Sequence, residues 1–224
     1  MELETESERL FRAYCRTNRI PCRRVPTKGA RGEKSPDFLI RPSGRTIVVE
    51  VKELDEAPLD RILSARLLAL GSTGAVDPGL DKRVRNKITK AMPQLRALAK
   101  GKHPAVLVLY QKTGLFPTGG LEIRLGMYGS DIVDVGTAGP PTRRTFWFRH
   151  RFGPGQKVAP THNTTLSAIA LIHQDAAQTV RLAVYHNRHA QRPLIAQWLS
   201  NQATTHYRLR TTPGEGGLIE WEEY

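Results

Sequence analysis

Residues 37–41 (DFLIR) and 45–53 (RTIVVEVKE) flank the turn signal Pro42-Ser43-Gly44, and this pair of runs limits the fold more than any other segment. Both runs alternate and carry branched or aromatic residues, which predicts two antiparallel strands joined by a tight turn. A turn centred on Ser43 and Gly44 sets Arg41 opposite Thr46, Leu39 opposite Val48 and Asp37 opposite Glu50. Side chains alternate faces along a strand. Phe38, Ile40, Ile47, Val49 and Val51 therefore share one apolar face, and Asp37, Glu50 and Lys52 share the other. Slipping the pairing by one residue would turn the charges into the core, so burial of the apolar set selects this register.

The hairpin lies within a longer alternation of elements. Residues 5–18 read as a helix, with Thr5 or Ser7 as the cap and Leu10, Phe11 and Tyr14 on one face. Residues 20–25 form a short strand that Pro21 and Pro26 confine to an edge, and residues 27–35 are a basic loop. After the hairpin come an apolar stretch at 59–70 and a Gly-rich loop at 71–80. Residues 81–100 then carry Val84, Ile88, Ala91, Leu95 and Leu98 at helical spacing, with Pro93 expected to kink or split the helix. Residues 105–110 (AVLVLY) are continuously apolar, as in a strand buried on both faces. The order to this point is helix, strand, strand, strand, helix, strand. The second half is rich in Gly, Pro and Thr over 114–144 and 153–165. It holds three β-like runs at 144–152, 166–173 and 180–186, a helix at 194–203, and a closing GEGGLIEWEEY that suits a small strand or an ordered tail. The fold class is α/β with a mixed sheet: a core over 1–112 and a β-rich C-terminal extension over 113–224, packed together.

The chemistry lies on the polar face of the hairpin. Directly opposed β-carbons stand about 4.5–5.5 Å apart, and two carboxylates at that distance repel unless a cation lies between them. A hard divalent ion with oxygen ligands, Mg²⁺ above all, suits the pair. Pro36-Asp37 on one strand and Glu50-Val51-Lys52 on the next resemble the signature of the PD-(D/E)XK nuclease superfamily, whose restriction-endonuclease-like core follows the same element order over about residues 4–112. The resemblance implies Asp37 and Glu50 as ligands of catalytic Mg²⁺ (with Mn²⁺ as a substitute), the Val51 carbonyl as a further ligand, and Lys52 as the group that positions the attacking water. It also implies an acid on the first helix, best matched by Glu8 with Glu4 as the alternative, and a Gln on the second helix, matched by Gln94. The Tyr that one subgroup carries four residues later is Leu98 here.

The second helix adds a separate signal. Between 82 and 102 it carries eight basic residues and no acidic one, among them Arg83, Arg85, Lys87 and Lys90. Such a stripe tracks phosphates, although a solvated helix face is the bland alternative. The chain has 34 Lys and Arg against 21 Asp and Glu, a formal charge of +13, which makes nucleic acid the default partner. Arg143, Arg144, Arg149 and Arg151 surround Phe146, Trp147 and Phe148, a pattern equally suited to nucleic-acid contact and to an ordinary amphipathic strand. The histidines at 150, 162, 173, 186, 189 and 206 lack a recognisable partner motif.

No run approaches the roughly 20 apolar residues of a membrane span. The acidic start, MELETESERL, does not fit a secretory signal. Cys15 and Cys22 are too few for a disulfide framework and lack zinc-site spacing, so they read as reduced thiols of a cytoplasmic protein. The expected function is a metal-dependent deoxyribonuclease, an endonuclease in preference to an exonuclease, with a dimer among the open oligomeric states. Two rivals stand beside it. One is a nucleic-acid-binding protein that keeps the nuclease fold without activity, and the other is an enzyme acting on RNA. A plain charge ladder at Asp37, Glu50 and Lys52, worth a few tenths of a kcal/mol, is the structural alternative to both.

Overall fold

The computed structural model describes residues 4–26, 35–54, 80–112, 118–138, 145–211 and 219–224. In chain order the elements are helix α1 (Glu6–Thr17), strands β1 (Cys22–Arg24), β2 (Phe38–Ile40) and β3 (Ile47–Leu54), helix α2 (Leu80–Ala99), strand β4 (Ala105–Gln111), helix α3 (Gly120–Tyr128), and strands β5 (Asp131–Ala138), β6 (Thr145–Phe152), β7 (Leu166–Gln174), β8 (Val180–His186), β9 (Thr204–Thr211) and β10 (Ile219–Glu223). The helix at 5–18, the edge strand, the hairpin, the long second helix and the buried strand stand in the expected order. Among the described residues no helix is long and apolar enough to cross a membrane.

The hairpin pairs as its apolar pattern requires: Phe38 with Val49, Leu39 with Val48 and Ile40 with Ile47. Its bend has Ser43 at φ 47° and Gly44 at φ 75°, and the Arg45 N–H donates to the Pro42 carbonyl at 2.9 Å. Two successive left-handed residues make the type I′ geometry whose twist matches that of antiparallel strands. Gly44 reaches it without steric cost, whereas Ser43 is a residue that visits this region rarely.

One mixed sheet of eight strands runs in the order β1-β2-β3-β4-β7-β8-β9-β10. β3, β4 and β7 are mutually parallel, β7 and β8 antiparallel, and β8 and β9 parallel. β7 lies directly against β4, so the second half of the chain extends the sheet begun by the first. β5 and β6 form a separate two-stranded ribbon.

Each sheet face buries its own apolar cluster. On one face α1 sets Leu10, Phe11 and Tyr14 against Phe38, Ile40, Ile47, Val49 and Val51. On the other face Val84, Ile88, Ala91 and Leu95 of α2, with Ile123 and Met127 of α3, cover Val48, Leu54, Leu107 and Leu109. α1 starts at a complete capping box: Thr5 is the N-cap, and the Glu8 carboxylate takes the Thr5 N–H at 2.9 Å.

Several expectations are corrected. Pro93 does not split α2, which runs through it as one 20-residue helix. Pro93 and Thr89 both lie on the exposed side, so the Thr89 carbonyl that loses its helical donor is open to water. The helix expected at 194–203 is only a short 3₁₀ turn, Ala196–Leu199. Asn201 ends it by accepting the Ala203 N–H at 2.9 Å and donating to the Tyr14 hydroxyl at 3.1 Å, local bonding that competes with helix. Within the Gly-, Pro- and Thr-rich stretch 114–144, α3 and β5 are regular elements, and β9 is a further strand that the sequence pattern does not announce. α3 fits against α2 because Gly126 has no side chain: a β-carbon there would stand 2.5 Å from Val84 Cγ1. The apolar stretch at 59–70, most of the Gly-rich loop at 71–80, most of the basic loop at 27–35, and Arg143 with Arg144 lie outside the described residues.

Candidate active site

Asp37 stands one residue before β2 and is fixed at three points. Its carbonyl accepts the Val25 N–H at 2.9 Å, beside the edge strand. Its N–H donates to Glu50 Oε2 at 3.2 Å, and its own Oδ2 accepts the Val51 N–H at 2.8 Å. Each acid thus replaces a main-chain group with a carboxylate just where the β2–β3 ladder ends. This reciprocal exchange draws the two side chains together on the face predicted for them. Gln94 of α2 donates to the Ser35 carbonyl at 3.3 Å, bracing the segment that leads into Pro36-Asp37.

Glu50 is fully buried, and the Lys52 ammonium lies against its Oε1 as an ion pair. No other donor reaches that oxygen among the described residues. Burial pushes the Glu50 carboxyl up to about 7, the negative charge of Asp37 adds to the rise, and Lys52 opposes it. Burial also raises Asp37, against the lowering effect of the Val51 N–H and Lys52. Near neutral pH this pair is poorly neutralised by a single lysine. Strand residues point both main-chain groups to the same edge, so the Val51 carbonyl is directed to the side of β3 where its N–H meets Asp37. A buried and a half-buried carboxylate with a main-chain carbonyl on one edge form an all-oxygen donor set that fits Mg²⁺ or Mn²⁺, with water completing the shell.

The other expected residues divide. Glu8 is turned into the α1 capping box and pairs with Arg24 of β1 at 3.1 Å, although its charge is near enough to raise Asp37 slightly. Glu4 pairs with Arg12 at 3.0 Å. Among the described residues no three of His, Cys, Asp and Glu gather as a metal cage, so a third protein carboxylate is not brought to the Asp37–Glu50 pair. On α2, Lys90 is exposed and Arg83 and Lys87 are half-buried, while Arg85 is paired with Asp81 one turn back. Arg151 is paired with Asp134 at 2.7 Å. His186 and His206 face each other at 2.9 Å in the interior, and burial pushes His186 down to about 4.

Sequence reasoning missed two residues around the site. Arg24 lowers Asp37 and holds Glu8; its position on an edge strand opposite Phe38 gave the only signal. Glu53, next to Lys52, points to the opposite sheet face and accepts the Ser7 N–H at 3.2 Å, tying β3 to the start of α1. Alternation along β3 predicts that facing, but the helix-capping partner was not legible. No family model, curated protein or solved structure matches the chain.

Proposed function

We propose that the chain is a cytoplasmic metal-dependent deoxyribonuclease, cutting within strands and holding Mg²⁺ through Asp37, Glu50 and the Val51 carbonyl. The observation that carries this reading is the reciprocal pairing of Asp37 and Glu50 at the end of β2–β3, with Lys52 in contact with Glu50. The resemblance to PD-(D/E)XK nucleases and the element order from α1 to β4 support it, as does the basic surface.

A phosphodiester resists hydrolysis because its anionic oxygens repel a nucleophile; a bound divalent ion neutralises that charge and acidifies water. Asp37 and Glu50 supply the negative charge that retains the ion. Lys52, with 27% of its side chain exposed beside a fully buried acid, reaches from the acid pair toward solvent. There it can hold the attacking water and stabilise the extra negative charge on phosphorus. Water adds to phosphorus and the 3′-oxygen leaves, which gives the 5′-phosphate and 3′-hydroxyl ends implied by the resemblance. On this reading Lys90, which is exposed, and Lys87 of α2 contact backbone phosphates.

The test is Mg²⁺-dependent cleavage of plasmid and oligonucleotide DNA. Asp37→Ala and Lys52→Ala should each lower it by at least about a hundredfold while circular dichroism and thermal unfolding show an intact fold. Undiminished cleavage in either variant would overturn the assignment. The Lys52–Glu50 ion pair and the absence of a third acid among the described residues favour one second reading, a DNA-binding protein of this fold without activity. Salt-sensitive DNA binding with no Mg²⁺ binding by calorimetry would select it.

A further inference from the structure

The sheet face that carries Glu50 and Lys52 continues across the strands. From Lys52 the row runs to Leu109 on β4, Leu171 on β7 and Ala183 on β8. Neighbouring strands lie about 4.8 Å apart, so the row extends roughly 5–14 Å from the lysine. Ala183 is its small member, and beside it opens a cavity of about 500 Å³. β3, β4 and β7 run parallel and end at Leu54, Gln111 and Gln174, so the cavity lies toward the carboxyl ends of the parallel strands. Open α/β sheets bind ligands at that end.

The lining has a definite chemistry. Leu109, Leu171 and Ala183 give an apolar base. Two residues further along β8 and on β9, Tyr185 and Tyr207 contribute a stacked pair, with centroids 4.9 Å apart and planes at 14°. Trp221 fixes that pair: its ring meets Tyr185 edge-on at 5.1 Å, and its Nε1–H donates to the Gly120 carbonyl at 2.6 Å. Gly120 is required for this approach, because a β-carbon there would lie 2.9 Å from Trp221 Cδ1. Gln111 and His173 border the cavity from the strand ends, and Thr118 borders it from the start of α3. The Thr118 hydroxyl is buried and meets no hydrogen-bond partner among the described residues. A buried hydroxyl in that condition calls for a partner from solvent or a ligand. The ammonium of Lys112 at the rim is held by Glu6 at 2.7 Å, so the interior carries little cationic charge and does not suit a phosphate.

An apolar base, an aromatic wall and a few polar edges fit a flat heterocycle with hydrogen-bonding edges. We propose that this cavity receives an unpaired nucleobase from the strand whose phosphodiester lies at Asp37, Glu50 and Lys52, and that the substrate is single-stranded or locally unpaired nucleic acid. A paired base keeps its faces stacked and its edges occupied, so an intact duplex cannot fill the cavity without unpairing. This inference rests on the nuclease reading for its phosphate position.

The test uses the full chain with chelator present, so that binding is read without cleavage, and a short single-stranded oligonucleotide carrying the fluorescent base 2-aminopurine. The wild-type protein should quench the single strand and leave the same base in a blunt duplex unquenched. Tyr207→Ala should weaken single-strand affinity by about ten- to a hundredfold, and Ala183→Leu, which fills the cavity, should abolish quenching while unfolding temperatures stay comparable. Equal quenching of single strand and duplex, no binding of the single strand, or wild-type quenching in both cavity variants would overturn the proposal. Loss of cleavage in Asp37→Ala with unaltered quenching in Tyr207→Ala would sink the cavity alone. Cavity-dependent quenching in a protein that never cleaves would sink the nuclease reading alone.

Discussion

Replacing Glu50 with Gln should make the metal-free protein more stable, and the size of the gain follows from the burial of the site. The Glu50 side chain is fully buried and its carboxyl is pushed from an ordinary 4.5 to about 7. Each tenfold change in proton affinity is worth about 1.4 kcal/mol, so the folded chain carries an ionisation penalty of about 3 kcal/mol. The sign is fixed by linkage. Below pH 4.5 both folded and unfolded forms are protonated and there is no penalty. Between 4.5 and about 7 the unfolded form releases its proton first, so stability falls as pH rises; above about 7 the full penalty is present. Glutamine keeps an oxygen for the Asp37 N–H and removes the charge, at the cost of the Lys52 ion pair, already counted in the net shift. Urea unfolding with chelator, at about pH 5 and about pH 8, should show Glu50→Gln gaining up to about 3 kcal/mol at the higher pH and only a small part of that at the lower. Adding Mg²⁺ at the higher pH should then raise the midpoint of the wild type and leave the variant unmoved. A variant less stable than the wild type at both pH values would refute the account of Glu50 as a strained, charge-starved acid.

Two more outcomes concern the scaffold and the basic helix. Gly126→Ala should destabilise the fold by about 1–3 kcal/mol, because its β-carbon would stand 2.5 Å from Val84 Cγ1; trimming the neighbour in a Val84→Ala/Gly126→Ala double variant should recover part of the lost thermal stability. Lys90→Ala should weaken DNA binding without altering the fold and reduce the slope of log affinity against log salt by about 1; an unchanged slope would remove Lys90, which is exposed on α2, from the phosphate-contacting set.

Where local pattern and global burial agree, the chain is legible from its residues. Phe38, Ile40, Ile47, Val49 and Val51 can be buried together in only one register, and the two-residue bend at Ser43-Gly44 supports the same one. That single choice places Asp37 beside Glu50 and Lys52. The failures come where contact with a distant residue decides the outcome. A helical pattern at 194–203 gives way to Asn201 bonding to Tyr14 of α1, far back in the chain. α3 is disguised by its glycines, and Gly126 is useful only because Val84, far back in the chain, lies against it. Glu8 looks free to approach the site, but Thr5 and Arg24 claim it. The cavity over Ala183 is likewise assembled from β4, β7, β8, β9 and the start of α3, which no local spacing announces.

The two outermost strands have a bearing on how this molecule behaves when crowded. β1 has only three residues, bracketed by Pro21 and Pro26, with exposed Arg23 and Arg24. β10 at the opposite margin carries Glu220, Glu222 and Glu223. Like edges of two copies would set arginine against arginine or glutamate against glutamate, and a strand added to β1 would find only three residues between two prolines to pair with. Lateral growth is thereby discouraged at both margins, and at β1 the obstacle is the backbone itself rather than charge.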